Sequence, residues 1–174
     1  MHVSHLRPGE DACQDKIPVV EPKTRESQSV MDLSASYTLT ASPAYVWDLL
    51  IDPHVVAACL PGCDRLESIG EDRYRAVLTL AVAAVSGQYS GTVAIVDKRP
   101  PHSYRLVVEG TGRAGFVKGE ATVEVVEQPD KTTAVIVKGQ AQVGGLLARV
   151  GQRLLGGASK MMMDRFFACL QAKV

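Results

Sequence analysis

The hydrophobic and polar positions along this chain follow a period of two in some segments and a period of about 3.6 residues in others. In MDLSASYTLTA (31–41), apolar side chains occupy every second position from Leu33 to Leu39, which predicts a half-buried strand. In SPAYVWDLLIDP (42–53), an apolar stripe at helical spacing follows a serine and a proline, which suit the N-cap and first turn of a short helix. HVVAACL (54–60) predicts a second helical turn.

Six more alternating segments fill the middle of the chain, and short polar or glycine-containing turns separate them. Strands that are joined by such short turns pair antiparallel. The sequence therefore predicts an antiparallel meander of six strands after the first strand. These six strands are expected at 64–70, 73–85, 87–99, 103–112, 118–128 and 132–143.

Residues 144–174 are predicted to form one long helix. With 100° per residue, five polar side chains fall on one narrow face, and apolar side chains cover more than half of the circumference. A helix that rests on a sheet needs a narrower apolar arc, so the excess predicts cover by loops, by a partner or by a ligand between helix and sheet. The polar face comprises Arg149, Arg153, Lys160, Asp164 and Gln171.

Two features of this helix bear on a ligand. Met161, Met162 and Met163 cover three sides of the helix, and flexible thioethers suit either a gap-filling core or a pocket that adapts to a bulky apolar guest. Arg165 falls within the apolar arc, where it either extends to solvent or pairs with a carboxylate or a ligand oxygen.

The composition of the chain indicates a domain boundary and a cellular compartment. Residues 1–30 mix proline, serine and charge without a period, which predicts a disordered tail before one domain (31–174), and Met31 is an alternative translation start. Lys plus Arg and Asp plus Glu number 19 each, which disfavours nucleic acid as a partner. The sequence has neither a transmembrane run nor a signal peptide, and its four irregularly spaced cysteines do not resemble a disulfide framework. We therefore expect a soluble protein in a reducing cytoplasm, with attachment to the inner membrane surface left open.

The stretch GTGRAG (110–115) matches the G-x-G-x-x-G fingerprint of dinucleotide-binding proteins. That motif binds pyrophosphate only where a strand leads through the glycines into a helix N-terminus. Here the glycines are followed by FVKGEATVEVVEQ, whose alternation predicts another strand. The glycines therefore predict a turn and bulge between antiparallel strands, and no dinucleotide cofactor is expected.

Metal and nucleophile candidates are sparse. Cys59 and Cys63, with His54 nearby, resemble half of a zinc site, but the sequence offers no second Cys/His pair at metal-binding spacing. Cys59 with His54 or His102 could form a catalytic dyad, but no nucleophile-elbow, zinc-protease or paired-carboxylate motif is present. We therefore predict neither a metal site nor a catalytic centre.

Five segments, in this order, resemble motifs of the CoxG family, which is named after a subunit of carbon monoxide dehydrogenase. The first three are the helical segment VWDLLIDP, the turn PGC and the strand segment GQYSGTV. The fourth is GTGRAGFVKGEA, and the fifth is VGGLLARVGQRL at the start of the last helix. The resemblance extends from about Met31 to Val174.

This resemblance implies an α+β fold of the START-like (SRPBCC) helix-grip type. In that fold, a curved seven-stranded antiparallel sheet with two short helices after strand 1 wraps a long C-terminal helix around an apolar cavity. The family also implies an accessory protein of molybdenum hydroxylases that is linked to membrane attachment of the enzyme and to binding of lipid-like molecules such as quinones. Many relatives continue through a Pro-rich linker to a membrane-binding tail, whereas this sequence ends at Val174.

The leading hypothesis is a non-enzymatic module that binds a lipid or quinone-like molecule and serves a molybdenum hydroxylase. A second hypothesis is an interaction module with a self-filled cavity, whose basic helix face docks onto an acidic partner or an anionic membrane. A third is a helix-grip cyclase or hydrolase, for which Arg165, Glu109 and Glu120 are the titratable candidates. The predicted cavity residues are Leu60, Pro61, Phe116, Leu147, Leu154, Met161, Met162, Arg165 and Phe166, and the predicted membrane or partner face is Arg149, Arg153 and Lys160.

Overall fold

The structure is a computed structural model that describes residues 28–82 and 85–174, so almost all of the predicted N-terminal tail lies outside the described residues. The predicted α+β architecture, with a seven-stranded antiparallel sheet and a long C-terminal helix, is confirmed. The elements are, in order, β1 (Ser29–Leu39), α1 (Pro43–Ile51), α2 (Pro53–Cys59), β2 (Cys63–Gly70), β3 (Arg73–Leu80), β4 (Gly87–Arg99), β5 (Ser103–Gly112), β6 (Gly115–Glu127), β7 (Thr133–Gly144), a 3-10 helix (Gly145–Arg149) and α3 (Gln152–Gln171).

The seven strands form one sheet in the order β1-β7-β6-β5-β4-β3-β2, with every neighbouring pair antiparallel. Strands β2 to β7 are the predicted meander, and β1 returns to pair with β7, with Tyr37 opposite Val135. One face of the sheet is lined by the apolar half of each alternating pattern and packs against the helices. We call this the inner face, and the opposite, more polar one the outer face.

Local capping explains the two short helices after β1. The Ser42 side chain accepts a hydrogen bond from the Tyr45 backbone N–H at 3.4 Å, and a proline occupies the first turn of α1. Asp52 ends α1 and also caps α2, because its carboxylate accepts from the His54 N–H at 2.9 Å. One residue therefore ends the first helix and starts the second.

Among the described residues, the interior contains two separate hydrophobic clusters. The first, which we call the α3-end cluster, joins the C-terminal half of α3 to α1, α2 and the sheet, and the second, the α3-start cluster, surrounds the beginning of α3. The buried members of the α3-end cluster are Leu39, Val46, Trp47, Leu49, Leu50, Cys59, Tyr104, Val123, Val125, Val135, Val137, Phe167 and Leu170. The buried members of the α3-start cluster are Met31, Val85, Tyr89, Ala141, Val143, Leu147 and Leu155.

A disulfide joins Cys59, the last residue of α2, to Cys169 on α3 across a sequence separation of 110 residues. This disulfide was not expected from the irregular spacing of the four cysteines. The spacing of cysteines in the sequence could not show the pair, because α2 and α3 meet only when the sheet has curled around α3. Cys63 is a free thiol, and burial raises its pKa.

The prediction of one continuous helix over 144–174 is also wrong. Gly145–Arg149 forms a 3-10 helix, and Gly151 takes a φ of 95° before α3 begins at Gln152. A left-handed residue of this kind is tolerated by glycine and breaks the regular rotation of 100° per residue. The polar face predicted from Arg149 to Gln171 therefore does not exist as one face, since its first member precedes the break.

Candidate functional site

Small residues line the middle of the inner face. The register pairs Gly91 with Gly110, Gly119 with Ala141, and Gly139 with Ala121 across neighbouring strands. At Gly91 the two strands approach so closely that an added Cβ would clash with the Glu109 carbonyl oxygen. The absence of a side chain at Gly91 therefore allows the close contact between β4 and β5.

The two hydrophobic clusters share no member, and we call the stretch of the inner face between them, over these small residues, the gap. Val93 and Val108 face each other on β4 and β5, on the inner side by alternation with Tyr104, yet both keep accessible surface and belong to neither cluster. Met161 and Met162 on α3 are likewise partly buried and belong to neither cluster. One continuous core is usual for a domain, so these four side chains mark the part of the interior where neither cluster extends.

Tyr104 is a buried member of the α3-end cluster and lies on the inner side of β5, four residues before Val108. Its side chain is 5% exposed and meets the Trp47 ring edge-on, with the ring centroids 5.5 Å apart. Burial raises the pKa of Tyr104 above its ordinary value, so the phenol stays protonated. Two other tyrosines near α3 have protein acceptors, since Tyr37 donates to Asp164 at 2.6 Å and Tyr89 to the Val85 carbonyl at 2.8 Å.

The Tyr37–Asp164 pair ties β1 to α3. The Tyr37 ring stacks on Phe167 with centroids 4.1 Å apart, and burial together with the hydrogen bond to Asp164 raises the pKa of Tyr37 to about 12. Lys160 donates to the other Asp164 oxygen at 2.7 Å and, with Tyr37, lowers the pKa of that carboxyl group. Lys160 is therefore engaged within α3 and contributes less to an external basic face than the sequence suggested.

Six of the nine predicted cavity residues lie at the interior or in the turn after α2, and the other three lie elsewhere. Leu147 is buried in the α3-start cluster, Phe166 packs beside the α3-end cluster, and Met161 and Met162 border the gap. Leu60 and Pro61 are partly buried in the turn between α2 and β2. The structure places Leu154, Arg165 and Phe116 elsewhere.

Leu154 is 59% exposed and Arg165 is exposed, so neither faces the space between α3 and the sheet. Phe116 lies on the outer face, because it precedes the inward Val117, and its ring covers Gly144 of β7. The prediction that these three residues line the cavity is therefore wrong. Leu154 and Arg165 lie on α3 away from its buried side, and the expected apolar arc was set in part by residues before the helix break. For Phe116 the cause is the start of β6 at Gly115, three residues earlier than expected.

GTGRAG forms the end of β5, a two-residue turn and the start of β6, with Gly112 opposite Gly115. The predicted strand after the glycines is confirmed, and the motif has no helix N-terminus. On the outer face the region borders two open hollows of about 200 and about 620 Å³. The smaller is lined by residues that include Phe116, Glu109 and Lys118, and the larger by residues that include Asp64, Arg65, Gln88 and Thr111.

The titratable candidates for an enzyme lie away from the gap. Glu109 and Glu120 alternate with inward residues and project from the outer face, where Glu120 pairs with Arg105 at 3.5 Å. Within residues 28–82 and 85–174, no three His, Cys, Asp or Glu side chains are grouped closely enough to hold a metal ion. Cys59, half of the metal motif considered above, is bonded to Cys169.

An exposed surface combines apolar and basic side chains around the start of α3. Leu146 and Leu154 are each 59% exposed, and Val30 is 55% exposed. The Gln152 side chain donates to the Val30 carbonyl at 3.0 Å, which brings the start of β1 to this surface. Arg149 and Arg153 are exposed on the same short segment. In the part of the chain that the structure describes, no helix is long and apolar enough to cross a membrane.

Comparisons with known proteins agree with this architecture. A family model described as the carbon monoxide dehydrogenase subunit CoxG matches residues 36–174. A conserved protein from Geobacillus kaustophilus has a similar structure, with a TM-score of 0.80 and 37% identity over 82% of this chain and 94% of that one. A START superfamily protein from Mycobacterium smegmatis shares the fold at a TM-score of 0.64 and 11% identity, over 82% of this chain and 96% of that one. A search among curated protein sequences found no match.

Proposed function

Because the chain belongs to the CoxG family of carbon monoxide dehydrogenase, we propose that it is a non-enzymatic accessory protein that carries a lipid or quinone-like molecule between α3 and the sheet. In this proposal it serves a molybdenum hydroxylase of the aerobic carbon monoxide dehydrogenase type. The family model covers residues 36–174, which include most of both hydrophobic clusters and all of α3.

The gap between the two hydrophobic clusters is the observation that carries this proposal. It is bordered by Val93 and Val108 on the sheet and by Met161 and Met162 on α3. Ligand sites of this kind are mostly apolar and have few polar anchors. Methionine side chains adapt to the shape of a bulky guest, so this border suits an apolar molecule with a flexible part.

Filling the gap tests the site directly. We expect Val108→Phe to weaken binding of a decyl-benzoquinone probe about tenfold, since the larger ring takes up the space that the probe needs. Val107→Phe adds the same ring on the outer face of the same strand and is the matched control. Binding is measured by isothermal titration calorimetry and by the thermal shift of the protein.

Two results would contradict this part of the proposal. One is a wild-type protein that yields no ligand on native mass spectrometry and organic extraction and shows no thermal shift with the probe. The other is a Val108→Phe variant that binds as tightly as Val107→Phe. Either result would favour an interior that the protein fills with its own side chains.

Association with an enzyme needs a separate test. We expect the tagged protein to co-purify with the subunits of a molybdenum hydroxylase encoded beside it when the genes are expressed together. A neighbourhood without such genes, together with no change in the enzyme's membrane-bound fraction on deletion of this gene, would refute the partnership.

A second candidate function is docking of the protein on an anionic membrane. It is favoured by the surface around the start of α3, where Leu146 and Leu154 are exposed beside Arg149 and Arg153. No acidic residue occurs between Asp130 and Asp164 in the sequence, so this segment is positively charged. Anionic lipid headgroups attract such basic segments, and exposed leucines can enter the headgroup layer.

Co-sedimentation with vesicles of phosphatidylglycerol and phosphatidylcholine tests this function. The double variant Arg149→Glu/Arg153→Glu should lose most of its vesicle-bound fraction, and Leu154→Ser should lose part of it. Lys118→Glu, on the outer face, reverses a charge away from this surface and should leave the bound fraction unchanged. Equal sedimentation of all four proteins would exclude the surface as a lipid-docking site.

A further inference from the structure

Tyr104 presents an unused hydrogen-bond donor deep in the apolar interior. Its side chain is 5% exposed, and its neighbours in the α3-end cluster are apolar or aromatic. Among the residues that the structure describes, the Tyr104 hydroxyl contacts no hydrogen-bond acceptor, whereas Tyr37 and Tyr89 each donate to a protein oxygen. Buried polar groups in folded proteins nearly always have a partner, so this exception requires an explanation.

The hydroxyl is not sealed inside the core. No described side-chain oxygen or nitrogen is both fully enclosed and without a partner, so the Tyr104 oxygen retains accessible surface. Because the residue as a whole is nine-tenths buried, that surface borders a space within the protein. A molecule in this space therefore meets one hydrogen-bond donor in otherwise apolar surroundings.

The position of Tyr104 on β5 indicates how a ligand in this space would extend. Leu106 and Val108 follow Tyr104 along the inner side of β5, two and four residues further on. Val108 borders the gap, and the strand continues from there toward the start of α3. A ligand that meets the Tyr104 hydroxyl and enters the gap therefore extends its apolar part along β5, past Leu106, which packs against the α3-end cluster, to Val108.

We propose that the Tyr104 hydroxyl donates a hydrogen bond to an uncharged carbonyl oxygen of the bound molecule, and that the site selects carbonyl-bearing apolar compounds over plain hydrocarbons. This inference rests on the proposed function, since it needs a ligand in the gap. An uncharged acceptor is required because a buried carboxylate would need a cation, and the helix residue Arg165 is exposed to solvent. Burial raises the pKa of Tyr104, which keeps the donor proton in place at neutral pH.

Two probes of matched length test the selectivity. Decyl-benzoquinone and decylbenzene share a ring and a ten-carbon chain, but only the first has carbonyl groups. We expect the wild-type protein to bind the quinone about tenfold more tightly than decylbenzene, the usual effect of one neutral hydrogen bond. Tyr104→Phe should remove this preference and leave the affinity for decylbenzene unchanged.

A matched variant and a spectroscopic measurement support the affinity data. Tyr89→Phe removes a hydroxyl that already donates to Val85, so it should keep the preference for the quinone. The infrared carbonyl stretch of the bound quinone should lie at lower frequency in the wild-type protein than in Tyr104→Phe. Trp47, the chain's one tryptophan, contacts Tyr104, and its fluorescence checks that the variant keeps its packing.

The outcomes separate this inference from the function on which it rests. If neither probe binds the wild-type protein, the proposed ligand-binding function fails, and the inference fails with it. If both probes bind equally, or if Tyr104→Phe keeps the preference and the carbonyl frequency, the protein is a ligand carrier but Tyr104 bonds only to water. Loss of the preference in Tyr104→Phe alone supports the inference.

Discussion

The two ends of α3 are held in different ways. At its C-terminal end, Leu170 is fully buried beside Leu39 and Val46, and the Cys59–Cys169 disulfide joins α3 to α2. At its start, Leu154 is 59% exposed, and a 3-10 helix and Gly151 interrupt the chain just before it. One end is packed and cross-linked, whereas the other buries Leu155 but is otherwise more exposed and irregular.

This difference indicates which end of α3 can open locally. Segments with few buried contacts open at a lower free energy than the packed core to which they are attached. The start of α3 has two further glycines, Gly156 and Gly157, with no atom within 4 Å of where a side chain would begin. We expect local opening, and exchange of any ligand, to occur at the start of α3 while its C-terminal end stays in place.

Removal of the disulfide should have the largest effect on the packed end. The Cys59→Ser/Cys169→Ser variant should lose about 4 kcal/mol of unfolding free energy, because an oxidised chain carries a long closed loop into its unfolded state. Urea unfolding under oxidising conditions measures this loss. A reductant should lower the stability of the wild-type protein and leave the variant unchanged, and a reductant effect of equal size in both would contradict the cross-link.

Truncation of buried leucines compares the two ends directly. Leu170→Ala should cost about 3 kcal/mol, since the packed end cannot collapse around the cavity that is left. Leu155→Ala, in the α3-start cluster, should cost about 2 kcal/mol because the irregular segment before it can relax. Urea unfolding of both variants gives the two values.

Leu154→Ala is the control for these truncations, because its exposed side chain should change stability by less than about 0.5 kcal/mol. If Leu155→Ala proves as costly as Leu170→Ala, the two ends are equally rigid, and the proposed difference between them is wrong.

Alkaline pH tests the hydrogen bond from Tyr37 of β1 to Asp164 of α3. Tyr37 has a folded-state pKa of about 12, whereas a tyrosine in an unfolded chain ionises near pH 10. The unfolded state therefore loses its proton first, so the contribution of Tyr37 to stability is complete below pH 10 and is lost as the pH rises from 10 to 12.

Tyr37→Phe should consequently show a smaller fall in unfolding free energy between pH 8 and pH 11 than the wild-type protein. Tyr45→Phe, which removes a tyrosine that is 45% exposed, is the comparison variant. Identical pH profiles for Tyr37→Phe and the wild-type protein would show that the Tyr37–Asp164 contact does not couple stability to ionisation.

Most of the fold could be predicted from the sequence, because strand alternation and short turns are local signals. The bounds of β4 and β5 agree with those expected from the pattern, and the strand after GTGRAG is identified by its period of two. The candidate site could be predicted less well. The pattern places Phe116 in a turn before β6, whereas in the structure it belongs to that strand. Because side chains alternate between the two faces of a strand, its position in the strand decides its face, which the pattern could not give.

The remaining features of the site depend on contacts between distant segments. Tyr104 could be placed on the inner face by alternation, but its contact with Trp47 depends on the packing of α1 against the sheet. The Cys59–Cys169 bond likewise requires α2 and α3 to be neighbours. The break before α3 has a local signal in the glycine content of VGGLLARVGQRL, but the apolar spacing continues across it and hides the break.

Substitution of Gly157 should change the unfolding free energy least, and should raise it whereas the substitutions above lower it. Gly157 lies inside α3, is exposed and has room for a side chain, so Gly157→Ala should raise stability by about 0.5 to 1 kcal/mol through its higher helix propensity. Gly151→Ala is the matched substitution just before the helix, and its φ of 95° should make it destabilising. Hydrogen exchange of the amides in 152–160 should slow in Gly157→Ala, while exchange near Leu170 should not change. A slowing that extended to both ends would mean that α3 opens as one unit, and exchange at its start would then no longer explain how a ligand enters.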